Sequence, residues 1–559
     1  MAKRLSELMT PQGAATISIK TQTAGAGAEL DPVITNIVYD SRAAVEGSLF
    51  FALPGIHTDG NRFITQAVKN GAKAVVYQGS VTEYVPGAVY LQVADARFSM
   101  SPVSDRFFDT PSESLGLIGV TGTEGKSSTV SFIWQLLRLA GKKAGFISTV
   151  QYSLGGEEMS NPEHQTTPEA PVIHEKLAAM VQNGAEYAVV ESSSHGLSPR
   201  TNRLGDVRFD CAVMTNVTHE HLEFHGTHGQ YKEDKANLFR ALDKWEQHGQ
   251  LTHEKQVSGS PCTIPAFGIV NMCDPAAAYF AAATDKPVFG FTDTALSPEN
   301  IPQGLAGYVT AEEILDDSKG VSFSLTEYVL DEDGTVTKGI PLQVRLNLPG
   351  TFNVKNAMAA LIAVSRILDI PPIELTPLLS DLKPVRGRMT AINKGQPFEV
   401  IVDYAHTPSS FETVFPPLRE RLQCRKQVPG RKPAPGRIIS LFGSGGERDI
   451  QKRPEQGRIA AEYSDIVILA DEDPRGEDPM ELLEMIAEGC TGKQRDESLF
   501  LIPDRPQAIR KAFALAKEGD IVLLLGKGHE NSIIYQDVTI SYDEITEAET
   551  ALAEMGWGQ

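Results

Sequence analysis

The chain has 559 residues, of which 41% are hydrophobic and 22% are charged, a balance typical of a globular protein with about three or four domains. Its formal net charge of −21 disfavours nonspecific binding to nucleic acid or to an anionic membrane, although local basic groups can still hold an anionic substrate. No stretch approaches the roughly 20 apolar residues of a membrane span, and no apolar run follows Lys3 and Arg4, so we expect neither a membrane anchor nor a signal peptide.

The cysteines are scattered, odd in number and without CxxC spacing. This pattern predicts free thiols rather than a disulfide framework or a zinc site. We therefore expect a soluble, cytoplasmic protein. The cysteines are Cys211, Cys262, Cys273, Cys424 and Cys490.

The first region, residues 1–113, is predicted to be a small α/β domain that has no phosphate-binding loop of its own. Its short apolar segments are typical of strands, and one helix is predicted near FITQAVKNGA. The predicted strands are VITNIVYDSR, SLFFALPG, AKAVVYQG and AVYLQVAD.

A glycine-rich loop lies between a predicted strand and a predicted helix in Leu115–Ser128, LGLIGVTGTEGKSS. Such a loop surrounds a phosphate with backbone N–H groups and a helix N-terminus. Lys126 can reach the β- and γ-phosphates of a nucleotide, and the Ser127 hydroxyl can bind Mg²⁺. Val120 stands where the usual P-loop has its first glycine, which disfavours a GTPase or a nucleoside kinase. The predicted phosphate-binding residues are Gly122, Thr123, Gly125, Lys126, Ser127 and Ser128.

Strands alternate with helices from Leu115 to about Asp381, which predicts a parallel sheet in a central domain over residues 114–383. Two segments interrupt this pattern. Lys244–Pro261 is polar and is predicted to be a loop, and Val321–Leu348 is predicted to be an antiparallel excursion.

The last region, residues 384–559, is predicted to be a third α/β domain. Its basic, proline-rich segment Gln423–Gly436 is interpreted as a solvated surface loop. The predicted strands are FEVIVDYA, GRIISLFG, DIVILADE, SLFLIPD and DIVLLLGKG.

Acidic and histidine side chains follow two strands of the central region. Glu191 ends the strand AVVE, at the edge where open α/β sheets bind ligands, and fits a metal ligand beside Ser127. The next strand leads into NVTHEHLEFHG, where His219, His221 and His225 crowd one short segment. No second cluster with zinc-ligand spacing accompanies them, so we expect mostly packing or capping roles, with one or two histidines meeting Mg²⁺ or a phosphate.

Taken together, these segments resemble the Mur ligases, and most of all the tripeptide-forming members of that family. The resemblance covers nearly the whole chain, because DSR and LPGIHTDG near the N-terminus also fit. It implies a central P-loop parallel-sheet ATPase domain, flanked by a smaller N-terminal α/β domain and a C-terminal Rossmann-like domain. The motifs that carry it, in order, are TGTEGKSS, ESSSHGL, NVTHEHLEFHG, YKEDKANLF, GTFNVKNAMAA, VRGRM, VDYAHTP, FGSGGERDIQKRP, EDPRGEDP and GKGHE.

The resemblance implies an ATP-dependent amide ligase of peptidoglycan precursor synthesis. In such enzymes ATP phosphorylates the free carboxylate of UDP-N-acetylmuramoyl-L-alanyl-D-glutamate, and the amine of a diamino acid then attacks the acyl phosphate. ATP and Mg²⁺ are the implied cofactors, and a monomer without nucleic-acid or membrane partners is expected. The alternatives are another Mur or folylpolyglutamate-type ligase, or a nucleotide-binding relative that has lost turnover.

The resemblance also implies roles for individual residues. The catalytic set is Lys126, Glu191, His221 and Lys235. The metal ligands are Ser127, Glu191, His221 and Lys235, the last as a carbamate. Beyond the phosphate loop, the ATP site comprises Asn353, Asn356, Arg388 and Asp403, with His406 nearby. The UDP-substrate contacts are Ser41, Arg42, Thr166, Thr167, Ser193 and Arg203, the last with Arg200 as an alternative. The amino-acid contacts are Arg448, Asp473, Arg475, Gly526 and Glu530.

One motif departs from the family pattern. Ligases that add diaminopimelate carry Asp-Asn-Pro-Arg, whereas this chain reads Glu472-Asp473-Pro474-Arg475. Arg475 keeps a partner for a substrate carboxylate, and Asp473 adds an anion in place of an amide. The change favours a simple diamine, lysine or ornithine, over meso-diaminopimelate.

Overall fold

The computed structural model divides into two compact units, Met1–Leu382 and Lys383–Gln559. Their sheets confirm the expected mixed α/β class, and the boundaries proposed at 113/114 and 383/384 remain predictions. The residues described are 1–10, 17–55, 59–81, 83–161, 165–218, 222–244, 251–294, 296, 301–317, 320–330, 336–348, 350–425 and 436–558.

The first unit begins with a five-stranded sheet of order β2-β7-β6-β5-β4, parallel except for β2, and a small antiparallel pair, β1 and β3. Its strands are β1 (Lys3–Arg4), β2 (Ile19–Ala24), β3 (Val33–Ile34), β4 (Asn36–Val38), β5 (Ser48–Ala52), β6 (Ala72–Tyr77) and β7 (Val89–Val93). Its helices are α1 (Leu5–Leu8), α2 (Ile64–Lys69) and α3 (Ala96–Phe107). The helix near FITQAVKNGA is confirmed, and so are the strands predicted in SLFFALPG, AKAVVYQG and AVYLQVAD. The segment VITNIVYDSR, predicted as one strand, forms two short strands in different sheets, β3 and β4.

A larger sheet, twelve strands in the described part, forms the rest of the first unit in the order β11-β10-β9-β12-β8-β13-β16-β17-β18-β19-β20, with β21 also paired to β19. Its strands are β8 (Gly116–Thr121), β9 (Ala144–Ile147), β10 (Gln151–Ser153), β11 (Met159–Ser160), β12 (Tyr187–Glu191), β13 (Cys211–Met214), β16 (Phe267–Asn271), β17 (Val288–Thr292), β18 (Leu305–Asp317), β19 (Gly320–Leu330), β20 (Val336–Lys338) and β21 (Leu342–Leu346), while β14 (Thr252–Val257) and β15 (Ser260–Pro265) form a separate hairpin. Its helices are α4 (Lys126–Leu139), α5 (Ala170–Gln182), α6 (Ser194–Leu197), α7 (Leu222–His225), α8 (His228–Arg240), α9 (Ala277–Ala281), α10 (Phe352–Leu368) and α11 (Pro372–Leu375).

The run β9-β12-β8-β13-β16-β17-β18 is parallel. Antiparallel strands extend it at both edges, β10 and β11 beside β9 and β19 beside β18. The parallel strands at the centre are buried on both faces, as their continuous apolar sequences require. The antiparallel excursion predicted at Val321–Leu348 is confirmed by the pairing of β19 with β21. The loop predicted at Lys244–Pro261 is wrong in part, because β14 and the start of β15 lie within it.

The hairpin is held by buried charges, which explains why its sequence does not resemble a strand. Lys255 of β14 donates through Nζ to Asp210 Oδ2 at 2.5 Å and to three backbone carbonyls, those of Ser112, Leu115 and Arg208. Asp210 also accepts from His253 Nδ1 at 2.7 Å and from the backbone N–H of Leu117. Polar side chains therefore occupy the inward positions that apolar residues normally mark.

The second unit is a six-stranded sheet of order β22-β23-β27-β24-β25-β26, parallel except for β22. Its strands are β22 (Thr390–Ile392), β23 (Glu399–Asp403), β24 (Ile438–Phe442), β25 (Ile466–Leu469), β26 (Leu499–Leu501) and β27 (Ile521–Leu525), followed by the hairpin β28 (Ser532–Ile534) and β29 (Thr539–Ser541). Its helices are α12 (Pro408–Arg425), α13 (Lys452–Tyr463), α14 (Pro479–Ala487), α15 (Arg505–Leu515) and α16 (Glu544–Glu554). All five predicted strands are confirmed, and most of the loop predicted at Gln423–Gly436 lies outside the described residues.

Composition predicts no membrane span and free cysteine thiols. Among the described helices, none combines the length and the apolar composition that crossing a bilayer needs. Four of the five cysteines are described with their side chains, and these four are free thiols.

Replacing Lys255 with Met tests the buried cluster that fixes the hairpin. Breaking a buried ion pair from one side leaves an uncompensated charge on Asp210, so we expect the free energy of unfolding of the first unit to fall by about 3–5 kcal/mol. Urea unfolding followed by tryptophan fluorescence measures this. The control is Lys73→Met, which removes an exposed pair with Glu46 and should cost at most about 1 kcal/mol. Equal effects of the two substitutions would contradict the conclusion that the buried contact of Lys255 with Asp210 holds the hairpin.

Candidate active site

The glycine-rich loop connects β8 to α4, as the sequence predicts. Gly125 has φ of 82°, a left-handed conformation that favours glycine, and an added Cβ would lie 2.7 Å from Asn356 Oδ1. Helix α4 begins at Lys126, directly after this residue. Lys126 Nζ donates to the carbonyl oxygen of Thr123 at 2.6 Å, so the ammonium lies folded over the loop. Gly122 and Ser128 flank the same turn.

Asn216, in the segment after β13, holds the loop from the other side. Its Oδ1 accepts from the backbone N–H groups of Thr123 and Glu124, at 3.1 and 2.8 Å. Thr123 Oγ1 lies 3.1 Å from Tyr231 Oη of α8. The loop shape is therefore fixed by two side chains, Asn216 and Tyr231, neither of which the sequence analysis identified.

Glu191 is the acidic residue at the end of β12, and the structure brings it to the start of α4. Ser127 Oγ donates to Glu191, with distances of 3.1 and 3.0 Å to the two carboxylate oxygens. The backbone N–H of Thr149 also donates to Glu191 Oε2, at 2.8 Å. Both side chains are buried. A hydroxyl and a carboxylate in contact beside a phosphate loop are the oxygen ligands that Mg²⁺ prefers.

Lys235 lies on α8 with its ammonium close to the phosphate loop. Its Nζ donates to the carbonyl oxygen of Gly122 at 2.5 Å and lies 4.4 Å from the centre of the Tyr231 ring. The side chain is buried, which is unusual for a lysine without a functional or structural partner. His221, the other residue expected here, lies outside the described residues, as does His219.

Asn353 and Asn356, the residues expected to contact adenine, lie near the N-terminus of α10. Asn356 Oδ1 accepts from Thr129 Oγ1 of α4 at 3.2 Å, and both asparagines are buried. The packing of α10 against α4 therefore places one of them beside the turn at Gly125.

Four residues expected at the UDP-substrate site form one group. Thr167 Oγ1 accepts from the backbone N–H of Ser193 and donates to the carbonyl oxygen of Glu191, both at 2.9 Å. Arg203 donates to the carbonyl oxygen of Thr167 at 2.7 Å and to Glu169 at 2.9 Å. Thr166 directly precedes Thr167 and is half-buried.

Arg97 of α3 is a further cation of this group that the sequence analysis missed. Its Nη1 donates to the same oxygen of Glu169 at 2.8 Å, so two guanidinium groups share one carboxylate. The local charge is therefore positive, which suits an anionic substrate. Only the fold reveals this pairing, because Arg97 and Glu169 are 72 positions apart.

Ser41 and Arg42 lie in a short helical turn between β4 and β5. The Arg42 guanidinium pairs with Asp40 at 2.6 Å and holds the pKa of that carboxyl below its usual value. The Arg42 side chain is 87% exposed, so it is accessible to a ligand. Ser41 is buried, and its carbonyl oxygen accepts from Asn70 Nδ2.

In the second unit, Asp403 ends β23 and Arg388 lies in the segment before β22. Burial raises the pKa of Asp403, and Arg388 and the backbone N–H groups of Met389 and Ala405 oppose that rise. Arg388 stacks over the ring of Tyr404, at 4.8 Å from the ring centre. His406 Nδ1 lies 2.8 Å from the carbonyl oxygen of Tyr404. The structure thus gathers the second-unit residues expected at the ATP site.

Two residues expected to choose the amino acid, Asp473 and Glu530, contact a buried lysine, Lys527. Lys527 Nζ donates to Asp473 Oδ1 at 2.9 Å and to Glu530 Oε2 at 2.5 Å. Glu530 also accepts from Tyr404 Oη at 3.2 Å. The anion that Asp473 adds is thus paired within the protein, a neutralisation that the sequence analysis did not identify.

Glu472 and Gly526 face each other beside this group. Glu472 is buried, which raises its pKa, and an added Cβ on Gly526 would lie 2.6 Å from Glu472 Oε2. Arg505 fixes this edge by donating to both oxygens of Glu544 and to the carbonyl oxygen of Leu525. Arg475 has φ of 55°, and its N–H donates to Ile534. Arg448 is exposed.

No cluster of three or more His, Cys, Asp or Glu side chains that could hold a metal is found among the described residues. Magnesium sites commonly use one or two carboxylates together with substrate phosphates and water, rather than a complete protein cage. The pair Ser127–Glu191 fits that donor set.

Comparisons with known proteins agree with this site. The family description "Mur ligase family, catalytic domain" matches residues 33–99, "Mur ligase middle domain" matches 120–364, and "Mur ligase, glutamate ligase domain" matches 387–528. The UDP-N-acetylmuramyl-tripeptide synthetase of Treponema denticola is 54% identical over 519 residues, 92% of this chain and 91% of that protein.

One further relative and one solved structure are also similar to this chain. A UDP-N-acetylmuramoyl-L-alanyl-D-glutamate–2,6-diaminopimelate ligase of Geobacillus kaustophilus is 34% identical, over 94% of this chain and 96% of that protein. The crystal structure of the MurF ligase from Thermotoga maritima in complex with ADP has a TM-score of 0.55 at 19% identity, covers 93% of this chain and 96% of its own, and shares the fold. The predicted three-domain α/β fold is confirmed, and the chain belongs to the Mur ligase family of ATP-dependent, ADP-forming ligases.

Proposed function

We propose that the protein joins a diamino acid to the free carboxylate of UDP-N-acetylmuramoyl-L-alanyl-D-glutamate, with ATP as the phosphoryl donor, in peptidoglycan precursor synthesis. The observation that carries the proposal is the contact of Ser127 with Glu191 at the start of α4, beside Lys126 and the buried Lys235. The motifs of the whole chain and the relatives named tripeptide synthetases support it.

In the first step, an oxygen of the substrate carboxylate attacks the γ-phosphorus of ATP, and ADP leaves. Both reactants are anions, so cationic groups must hold them together and stabilise the charge of the transferring phosphoryl group. Lys126 leaves the carbonyl oxygen of Thr123 and contacts the phosphates, while Arg97 and Arg203 hold the substrate near Thr167.

Mg²⁺, when bound, neutralises phosphate charge. Ser127 and Glu191 would hold it, together with His221 and with Lys235 as a carbamate. Reaction of the neutral amine of Lys235 with CO₂ would form the carbamate and release a proton. This would break the bond to the Gly122 carbonyl oxygen and supply a second anionic ligand for the metal ion, beside Glu191.

In the second step, the neutral amine of the diamino acid attacks the acyl carbon, and inorganic phosphate leaves. We assign recognition of the amino acid to the group around Lys527 and Glu472, together with Arg448 and Arg475. An arginine can bind a carboxylate through two parallel hydrogen bonds, and an acidic side chain can bind an ammonium. We place the reaction in the cytoplasm and expect a monomer.

Release of phosphate from ATP tests the proposal. The protein is mixed with ATP, Mg²⁺ and the UDP-linked dipeptide, and lysine, ornithine and meso-diaminopimelate are added separately. We expect release that depends on the dipeptide and on one of the amino acids. Release that needs neither would indicate an uncoupled ATPase, and no release with any of the three would indicate a different acceptor or a non-catalytic relative.

Replacing Lys126 with Ala should abolish turnover of ATP. The substitution removes the cation that contacts the β- and γ-phosphates, and we expect kcat to fall at least a hundredfold, or about 2.7 kcal/mol of transition-state stabilisation. Steady-state phosphate release measures this. The matched control is Lys143→Ala, an exposed lysine beyond the end of the same helix, which should leave kcat within twofold. A near-normal rate in the Lys126 variant would refute the assignment of the phosphate loop.

Replacing Asp473 with Asn should shift the amino-acid preference toward diaminopimelate. The change removes one negative charge beside Lys527, whose ammonium is then paired with Glu530 alone and can attract a second substrate carboxylate. We expect the ratio of kcat/KM for diaminopimelate to that for lysine or ornithine to rise about tenfold, which corresponds to about 1.4 kcal/mol. Asp537→Asn, at an exposed aspartate, is the control. An unchanged ratio in the Asp473 variant would contradict the proposal that the charge of Asp473 sets the amino-acid preference.

A further inference from the structure

Three buried polar side chains form a chain of hydrogen bonds next to Lys235, and the proposed function makes no use of it. His225 Nδ1 lies 2.8 Å from Asp234 Oδ2, and His225 Nε2 lies 3.0 Å from Ser194 Oγ. Each residue belongs to a different helix: α6, α7 or α8. All three are at least 95% buried.

The directions of these bonds follow from the partners of His225. Asp234 is a carboxylate that also accepts a hydrogen bond from Gln230 Nε2, at 2.9 Å to Oδ1. An ionised carboxylate accepts only, so Nδ1 of His225 carries a proton. In the neutral ring, Nε2 then accepts the hydroxyl proton of Ser194.

This chain of bonds joins two elements that carry candidate ligands. Ser194 follows Glu191 by three residues, and Asp234 directly precedes Lys235. Tyr231, Asp234 and Lys235 lie on one face of α8, because they have helical spacing. Tyr231 contacts Thr123, Asp234 contacts His225, and Lys235 contacts the Gly122 carbonyl oxygen.

We propose that His225 is a positioning residue of the ligase, which fixes the distance between Lys235 and Glu191 at the phosphate loop by bridging Asp234 and Ser194. The inference rests on the proposed function for its catalytic meaning. Catalytic groups displaced by about 1 Å can lose a hundredfold in rate, so a bridge of this kind affects turnover without touching substrate.

A second histidine of the same unit offers a matched comparison. His253 is also buried, with Nδ1 2.7 Å from Asp210 and Nε2 3.1 Å from the carbonyl oxygen of Leu242. It holds the hairpin of β14 and β15 instead of the phosphate loop. If His225 were only a buried, satisfied histidine, substitution of either residue would lower stability and leave the kinetics of the folded enzyme unchanged.

The test compares His225→Asn with His253→Asn in the full-length protein. We expect both variants to lower the melting temperature by similar amounts. Only His225→Asn should lower kcat per folded molecule, by tenfold or more, with KM for the UDP-linked dipeptide within twofold of the unmodified protein. Equal kcat values in the two variants would overturn the proposal.

Ser194→Ala is the milder second variant, because it removes one hydroxyl from the other end of the bridge and keeps the ring of His225. We expect kcat to fall threefold to tenfold in the same direction. If His225→Asn does not fold, Ser194→Ala alone tests the proposal. An unchanged kcat in Ser194→Ala would then overturn it.

Calorimetric binding of a non-hydrolysable ATP analogue with Mg²⁺ separates this inference from the proposed function. We expect affinity at least fivefold weaker in His225→Asn and unchanged in His253→Asn. If the unmodified protein forms no tripeptide, the proposed function fails, while the binding comparison still tests His225. Equal affinities in the two variants would count against the positioning role.

Discussion

The candidate site of the first unit depends on one feature of topology, the position of β8 between β12 and β13 in a parallel sheet. Parallel strands present their carboxyl ends at one edge, so three segments distant in sequence meet there. The glycine-rich loop follows β8, Glu191 ends β12, and Asn216 follows β13. Without this strand order, Ser127 in the first turn of α4 and the Glu191 carboxylate would not be neighbours.

Buried charges also fix neighbouring parts of the first unit. Lys255 and Asp210 tie the hairpin of β14 and β15 to the start of β8, and Glu169 ties α3 to the loop that carries Thr167. Such groups are costly to bury singly and are stabilised only when every partner is present. The first unit is therefore held by polar networks that specify the position of its elements, in addition to the apolar cores of its sheets.

Much of this fold could be predicted from sequence, because parallel strands buried on both faces read as short apolar runs and a phosphate loop has its own spacing. The strand β14 could not, since its inward residues His253 and Lys255 are polar. The residues that contact the candidate site residues could not be predicted from the sequence either. Nothing in the local sequence pairs Arg97 with Glu169, Asp473 with Lys527, or His225 with Ser194, because these contacts depend on tertiary packing.

The hydrogen bonds between Asn216 and the phosphate loop affect the entropy of nucleotide binding. Its side chain occupies the N–H groups of Thr123 and Glu124, and Thr215 Oγ1 donates to the carbonyl oxygen of Glu124. A loop shaped in this way before the nucleotide arrives loses little backbone freedom when it binds. In this loop, nucleotide binding reduces mainly the conformational entropy of the Lys126 side chain, which exchanges one carbonyl oxygen for phosphate oxygens. The loop is therefore a rigid receptor and not a segment that folds around its ligand.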